Sequence, residues 1–251
     1  MRLSVIIPCK DEVGVVEHLL DSLVAQVTPP YEVIVVDSNS SDDLSGTVKK
    51  YTKKLPIHLI SATKKGVIHA RNQGAKAATG DTLLFLDADV TLPHDFIAKT
   101  VSQMEKRSID VAGFYQRMQS PKRGIRSGAR LMNGYVRLMS ASKTPVVFSC
   151  MAATKAAHAA IKGFDPAVWI MEDYDYAYRA KKHGLKFGVI KNTFFLASDR
   201  RFQDNAGTSI AQGIYAELYR YTHGLRITKP LYDYKMGGGA KKKRASESSS
   251  Q

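Results

Sequence analysis

Short, unbroken apolar runs alternate with amphipathic stretches through the first third of the chain. The runs Leu3–Pro8, Glu32–Asp37, Ile57–Ser61 and Thr82–Asp87 are rich in Val, Ile, Leu and Phe and show no polar alternation. Such runs predict strands covered on both faces, as in a parallel sheet. Helical windows lie between them, over Val13–Gln26, Leu44–Lys53 and Val67–Ala78; Pro29-Pro30 closes the first and Gly80-Asp81 follows the third. The order β-α-β-α-β-α-β predicts an α/β fold with a mostly parallel central sheet, helices on its flanks and right-handed crossovers. Ligands of such sheets bind beyond the carboxyl ends of the strands, here after Pro8, Asp37, Ser61 and Asp87.

The second half is less regular. It predicts a helix near Asp173–His183, strands near Lys186–Ile190 and Thr193–Ser198, and a last helix over Ile210–His223. Arg123, Arg126, Arg130 and Arg137, with Asn133 among them, recur at spacings of three, four and seven beside an apolar row of Ile125, Ala129, Met132, Val136 and Met139. Two readings stand: a surface helix packing its apolar face on the domain, or a basic amphipathic helix lying on anionic lipid. From Gly237 onward, a glycine run, Lys241–Arg244 and a serine-rich end predict a disordered tail. The expected organisation is one domain in two halves, 1–110 and 111–236, with the tail over 237–251.

Composition sharpens this only partly. A chain of 251 residues, 44% hydrophobic, builds one sizeable core. Its formal charge of +14 suits nucleic acid, an anionic membrane or phosphorylated ligands alike. The basic excess is concentrated: no acidic residue lies between Asp110 and Asp165, against nine basic ones. Cys9 and Cys150 sit in apolar runs and are expected to be buried, reduced thiols. No stretch approaches the ~18 apolar residues of a membrane span, and no signal-peptide pattern opens the sequence. A cytoplasmic protein is expected, or one peripheral to the cytosolic membrane face through the Arg123–Arg137 helix and Lys241–Arg244.

The strand ends carry the candidate chemistry. Asp87 and Asp89, two apart on extended backbone, would point to one side and form a hard-oxygen site for Mn²⁺ or Mg²⁺ with positions left for phosphate oxygens. Asp37 leaves a buried strand where a carboxylate can accept a nucleobase N–H; Ser41 or Asp42 after it would cap the next helix. Pro8-Cys9-Lys10-Asp11-Glu12 is charged where a loop needs only polarity. Gly66 opens the third helix and Arg71 lies within it, either suited to a diphosphate or solvated on the helix face. Glu172 and Asp173 start a helix, as dipole partners or as an acid–base pair. In the second case Asp173 is the general base, and Glu172 beside it raises the proton affinity of the pair.

Taken in order, Pro8 and Glu12, Asp37 with its Ser/Asn-rich loop, Gly66 with Ala70-Arg71-Asn72-Gln73-Gly74, Asp87-Ala88-Asp89, Gly163-Phe164-Asp165, and Glu172-Asp173 with Arg179 resemble a family 2 glycosyltransferase over about residues 2–205. The resemblance implies a GT-A (Rossmann-like) single domain with an acceptor-side C-terminal half. It implies an inverting transfer of one sugar from a nucleotide-sugar donor, a UDP-sugar or a GDP-sugar, to a glycan or lipid-linked acceptor. Pro8, Glu12 and Asp37 would hold the base, Asp87 the ribose or a metal-bound water, and Asp89 the metal; Asp173 would be the base. Arg200 and Arg201, in Ser198-Asp199-Arg200-Arg201-Phe202, would lie near the diphosphate. Many relatives place a histidine ligand there, and this segment has none, so the third protein ligand is open. The Gln-x-x-Arg-Trp motif of processive synthases is missing.

Two other classes fit parts of the pattern. A sugar-nucleotide pyrophosphorylase would need a glycine-rich loop after the first strand, which Pro8–Glu12 does not supply. A nucleic-acid-binding protein would suit the charge but leaves the strand-end carboxylates unexplained, so no nucleic acid is expected. A donor-binding relative without catalysis is opposed by intact Asp87, Asp89 and Asp173.

Overall fold

The computed structural model describes residues 1–232, apart from the side chains of residues 201 and 203–206. The tail over 237–251, with Lys241–Arg244, lies outside the described residues. In chain order the elements are β1 (Leu3–Cys9), α1 (Val13–Val24), β2 (Glu32–Asp37), α2 (Leu44–Lys49), β3 (Ile57–Ser61), α3 (Val67–Ala77), β4 (Thr82–Phe85), β5 (Val90–Thr91), α4 (Phe96–Arg107), β6 (Val111–Gln119), α5 (Arg123–Met139), β7 (Met151–Thr154), α6 (Lys155–Ala160), α7 (Glu172–Lys182), β8 (Phe187–Ser198) and α8 (Arg200–His223).

One sheet runs in the order β3-β2-β1-β4-β7-β6-β8-β5. The first four strands are parallel neighbours, as their apolar runs predict. Beyond β4 the sheet becomes mixed: β7 runs antiparallel to both β4 and β6, β8 runs parallel to β6, and β5 closes the edge antiparallel to β8. Side chains alternate across the sheet into two cores. Val5, Ile7, Val33, Val35 and Leu84 pack with Leu19, Leu20 and Phe96 on one face. Ile6, Ile34, Val36, Leu83 and Phe85 pack with Ile68, Ala70, Tyr176 and Ala177 on the other. With both faces covered, most positions in these strands are apolar, and of the buried exceptions Ser4 and Glu32 pair with each other at 2.6 Å. Gly74 lets α3 lie hard against β1, since a Cβ there would stand 2.5 Å from Ile6 Cγ2.

Several local expectations are corrected. β4 stops at Phe85, so Asp87 and Asp89 lie beyond the strand, with Asp89 in a turn, rather than two apart on extended backbone. Asp43 caps α2, accepting the Gly46 N–H at 2.8 Å. Neither Ser41 nor Asp42 does so; Asp42 instead accepts the Val13 N–H at 2.9 Å, at the entry to α1. The two strands expected over 186–198 are one, β8, which passes through Asn192 at a positive φ of 62°. α8 starts at Arg200, ten residues early, because its first turns carry no apolar period to reveal them. In α5 the expected apolar row is only partly used: Ala129 and Val136 are buried, whereas Met132 is exposed. β5, α4, β6, β7 and α6 had no counterpart in the sequence pattern. Cys9 and Cys150 are both buried and free. No described helix is long and apolar enough to cross a membrane.

Candidate active site

Arg71 gathers the acids of two distant segments. Gly66 takes a φ of 111°, open mainly to glycine, and turns the chain into α3. That entry brings Arg71 beneath the end of β4, almost wholly buried. Its Nη2 donates to Asp87 Oδ1 at 2.8 Å, and its Nη1 donates to Asp173 Oδ1 at 2.7 Å and Glu172 Oε1 at 3.0 Å. Of the two readings of Arg71, a diphosphate ligand or a solvated side chain, burial excludes the second. Charge-assisted bonds from a buried guanidinium to carboxylates are among the stronger contacts a fold makes. The three carboxylates also hold Arg71 charged against the cost of its burial.

Neighbouring residues fix this arrangement. Asn72 accepts the Phe164 N–H at 2.9 Å and donates to the Phe164 carbonyl at 2.7 Å. The Phe164 ring then lies 5.2 Å from the Arg71 guanidinium. Arg179 donates to the carbonyls of Ile161 and Gly163 at 2.6 and 2.8 Å and to Asp175 at 2.7 Å. Arg226 pairs with both Asp165 and Asp175. Met171, with a φ of 60°, turns sharply into α7 just before Glu172 and Asp173.

The proton affinity of Asp173 follows from this setting. Burial pushes its carboxyl well above the usual carboxylate range; Arg71 pulls against that, and the charges of Glu172 and Asp87 add to the rise. Three carboxylates around one guanidinium leave an excess of negative charge, which a proton or a cation relieves.

Arg200 organises a second cluster. It projects from the first turn of α8 and grips Glu12 with both Nη atoms, at 2.8 and 2.9 Å. Its Nη2 also lies 3.6 Å from Asp89 Oδ2. Glu12 stands on a rim made by the ends of β1 and β2. There Asp37 Oδ1 accepts the Ser40 N–H at 2.8 Å, and Ser40 Oγ accepts the Asp11 N–H at 3.1 Å. Asp11 in turn accepts the Ser41 N–H and hydroxyl at 2.6 and 2.8 Å, which hold its carboxyl below the usual range. Pro8 pairs in register with Val36 on the same rim.

Ionic contacts thus run from Glu12 through Arg200 to Asp89, and from Asp87 through Arg71 to Glu172 and Asp173, with Ala88 alone separating the two carboxylates in sequence. Pro8 and Asp37 join this line by their place on the rim; among the described residues Asp37 forms no ion pair with it. The side chain of Arg201 lies outside the described residues. The sequence reading missed Arg226, whose partners lie 51 and 61 positions away; no local pattern carries that signal. It also missed Asn72 as a clamp, although the residue stands inside a motif it singled out.

Among the described residues, no group of three or more His, Cys, Asp or Glu side chains is placed to hold a metal ion. Among the described residues, Asp87 and Asp89 remain the candidates. Two hard carboxylate oxygens with the other positions left to phosphate and water fit Mg²⁺ or Mn²⁺, which are commonly bound that way.

Comparison with known proteins agrees with this layout. The family described as glycosyl transferase family 2 matches residues 4–159, more than half of the chain. A dolichol-phosphate mannosyltransferase of Pyrococcus furiosus is 34% identical over 116 residues, 45% of this chain and 32% of that protein. Glycosyltransferase AglE of Haloferax volcanii is 31% identical over 116 residues, 44% of this chain and 38% of that protein. The matched part spans about a third of the length of these relatives. Among solved structures, S. aureus TarS 1-349 in complex with UDP superposes with a TM-score of 0.68 at 20% identity, covering 89% of this chain and 72% of that one. The mannosyltransferase PcManGT of Pyrobaculum calidifontis, in complex with GDP-Man and Mn²⁺, does so with 0.69 at 23% identity, covering 87% and 64%. These likenesses show a shared GT-A fold.

Proposed function

We propose, from the premise that this chain belongs to glycosyl transferase family 2, that it moves a single sugar from a nucleoside-diphosphate donor to an acceptor hydroxyl or lipid phosphate, with inversion. Family membership favours sugar transfer over nucleotidyl transfer. The observation that carries the reading is the Arg71 cluster, which sets the carboxylate after β4 against the pair that opens α7. UDP in one structural neighbour and GDP-Man with Mn²⁺ in another support a nucleotide-sugar donor and a divalent ion.

Asp173 takes the role of general base. An acceptor hydroxyl gives its proton to the Asp173 carboxylate while its oxygen attacks the anomeric carbon. The bond to the diphosphate breaks on the opposite face, and its electron pair leaves with the nucleoside diphosphate. A carboxylate whose proton affinity is raised by burial is a better base near neutral pH. Arg71 acts as a positioning residue for Asp173 and Asp87. Pro8, Glu12 and Asp37 receive the base and Asp87 the ribose or a metal-bound water, while Arg200 and Arg201 meet the diphosphate. Asp89, with Asp87 beside it, would hold Mn²⁺ or Mg²⁺, which would supply positive charge against the departing diphosphate. The basic α5 faces the side of an anionic membrane surface, where a lipid-linked acceptor would be presented.

A thermal-shift and hydrolysis screen of UDP- and GDP-sugars with Mn²⁺ tests the assignment, since a true donor stabilises the fold by an amount set by its concentration over its dissociation constant. Asp173→Asn is expected to retain donor binding and lose about 10²–10⁴ in turnover, whereas Asp89→Asn weakens metal-dependent binding. Wild-type turnover by Asp173→Asn would remove the base assignment. Absence of stabilisation by every donor would remove the transferase reading.

A further inference from the structure

α5 and α8 each expose a stripe of large apolar side chains among the described residues. On α8, Ile210, Ile214, Leu218 and Tyr221 recur at spacings of four, four and three, and so share one stripe. All four are exposed, Ile214 at 57% and Leu218 at 61%, while Ala216 and Arg220 on the opposite side are buried. On α5, Leu131 and Leu138 stand seven apart and are 78% and 73% exposed. Arg123, Arg130 and Arg137 repeat at the same interval on the adjoining row.

The two stripes meet at one junction. Tyr135 lies four residues after Leu131 and three before Leu138, hence on their side of α5. Its hydroxyl donates to Glu217 at 2.6 Å and stands 3.1 Å from the Tyr221 hydroxyl. Buried Arg220 donates to Glu217 at 2.7 Å and lies 5.0 Å from the ring of Tyr174, the residue next to Asp173. The face is thus attached firmly to the helix that carries the proposed base.

Large apolar side chains exposed in one contiguous patch mark an interaction surface. Charge selects its occupant. No acidic residue lies anywhere over 111–164, and over 207–223 the sole one, Glu217, is taken by Tyr135 and Arg220. Leucines flanked by a row of arginines match a layer with anionic headgroups outside and hydrocarbon within. A second copy would bring an equally basic surface against this one.

We propose that the α5–α8 face docks on an anionic lipid bilayer, with Arg123, Arg130 and Arg137 at the headgroups and Leu131, Leu138, Ile214 and Leu218 entering the acyl boundary. This rests on the reading of α5 as the membrane side and adds that apolar insertion, with α8 as its second half, carries much of the binding. Attraction by charge alone collapses once salt screens it; an inserted face keeps part of its hold.

The test is co-sedimentation of the full chain with vesicles of phosphatidylglycerol and phosphatidylcholine, against phosphatidylcholine alone, at low and high salt. Wild type should bind the anionic vesicles, prefer them clearly, and keep measurable binding at high salt. Ile214→Asn/Leu218→Asn should weaken that binding about tenfold or more, with circular dichroism and donor hydrolysis unchanged. Should that pair disturb folding, Leu131→Ser/Leu138→Ser reads the same face from α5. Wild-type binding by a folded variant, or complete release at high salt, overturns apolar insertion while leaving electrostatic attraction standing. Absence of binding at low salt overturns the membrane side itself. A wild-type dimer that Ile214→Asn/Leu218→Asn dissociates would make a second copy the occupant and refute the proposal. Donor hydrolysis, read separately, reports on the transferase assignment independently of all these outcomes.

Discussion

Arg71 and Arg200 both bind acidic side chains of the candidate site, in opposite settings. Arg71 has 1% of its side chain exposed and donates to three carboxylates. Arg200 has 40% exposed, grips Glu12, and only approaches Asp89. A buried guanidinium has given up its water, so its partners cannot be replaced without leaving charges stranded. A half-exposed one is partly hydrated and trades partners at small cost. The first arrangement is a fixed part of the fold, and the second is an exchangeable contact, where in the proposed function the donor's phosphates compete with Glu12. Stability and ligand response should therefore divide between the two arginines.

The largest expected effect tests the buried side. Arg71→Met leaves Asp87, Glu172 and Asp173 facing one another without their cation. By analogy with broken buried ion pairs, it should cost about 3–5 kcal/mol in urea unfolding. Adding Glu172→Gln removes one stranded charge and should return part of that loss. A cost under about 1 kcal/mol, in the range of surface pairs, would erase the contrast.

A smaller effect bears on the wall behind Arg71. The Phe164 ring, 5.2 Å from that guanidinium, packs edge-on against Phe85 at 5.0 Å. His158 stacks on Phe85 and shares a 3.0 Å hydrogen bond with the Tyr176 hydroxyl. Burial, then the charge of Arg179, lowers the His158 pKa from 6.5 to about 4. Above pH 6.5 the imidazole is neutral in both folded and unfolded chains, and this contribution to stability is complete. Between pH 6.5 and about 4 the unfolded chain binds the proton first, so stability falls with pH, by at most about 3 kcal/mol. His158→Leu should flatten that part of the pH–stability curve. An unchanged slope would place the acid sensitivity elsewhere.

How much of this was legible depends on distance along the chain. The four parallel strands declared themselves because both their faces are covered, which leaves uninterrupted runs such as Val33–Val36. Asp87 and Asp89 stood out as a carboxylate pair after a buried strand, Arg71 as a basic residue in the helix that Gly66 opens, and Asp173 as half of an acidic pair at a helix start. Their pairing did not, because Arg71 and Asp173 are 102 positions apart and sequence spacing carries no trace of such contact. β6 and β7 were hidden for a different reason. Val111–Gln119 changes from buried to half-exposed along its length, and Met151–Thr154 is short and alanine-rich, so neither shows a clean period. The start of α8 was equally silent, its polar first turns being defined by where Arg200 must reach.

The smallest expected change in stability, and the one that best separates the two arginines, is at Arg200. Arg200→Gln removes a half-exposed partner of Glu12, and unfolding free energy should move by no more than about 1 kcal/mol. Donor affinity, read by thermal shift or calorimetry with UDP- or GDP-sugars, should fall about tenfold, equivalent to ~1.4 kcal/mol. Arg200→Lys should restore only part of it, because an ammonium keeps the charge but loses the two-pronged grip on phosphate. If Arg200→Gln proved as destabilising as Arg71→Met, the Glu12 contact would be a structural clamp and the distinction between fixed and exchangeable arginines would fail. If stability and donor affinity both stayed at wild-type values, Arg200 would have no part in holding the diphosphate, and that task would fall to Arg201 beside it.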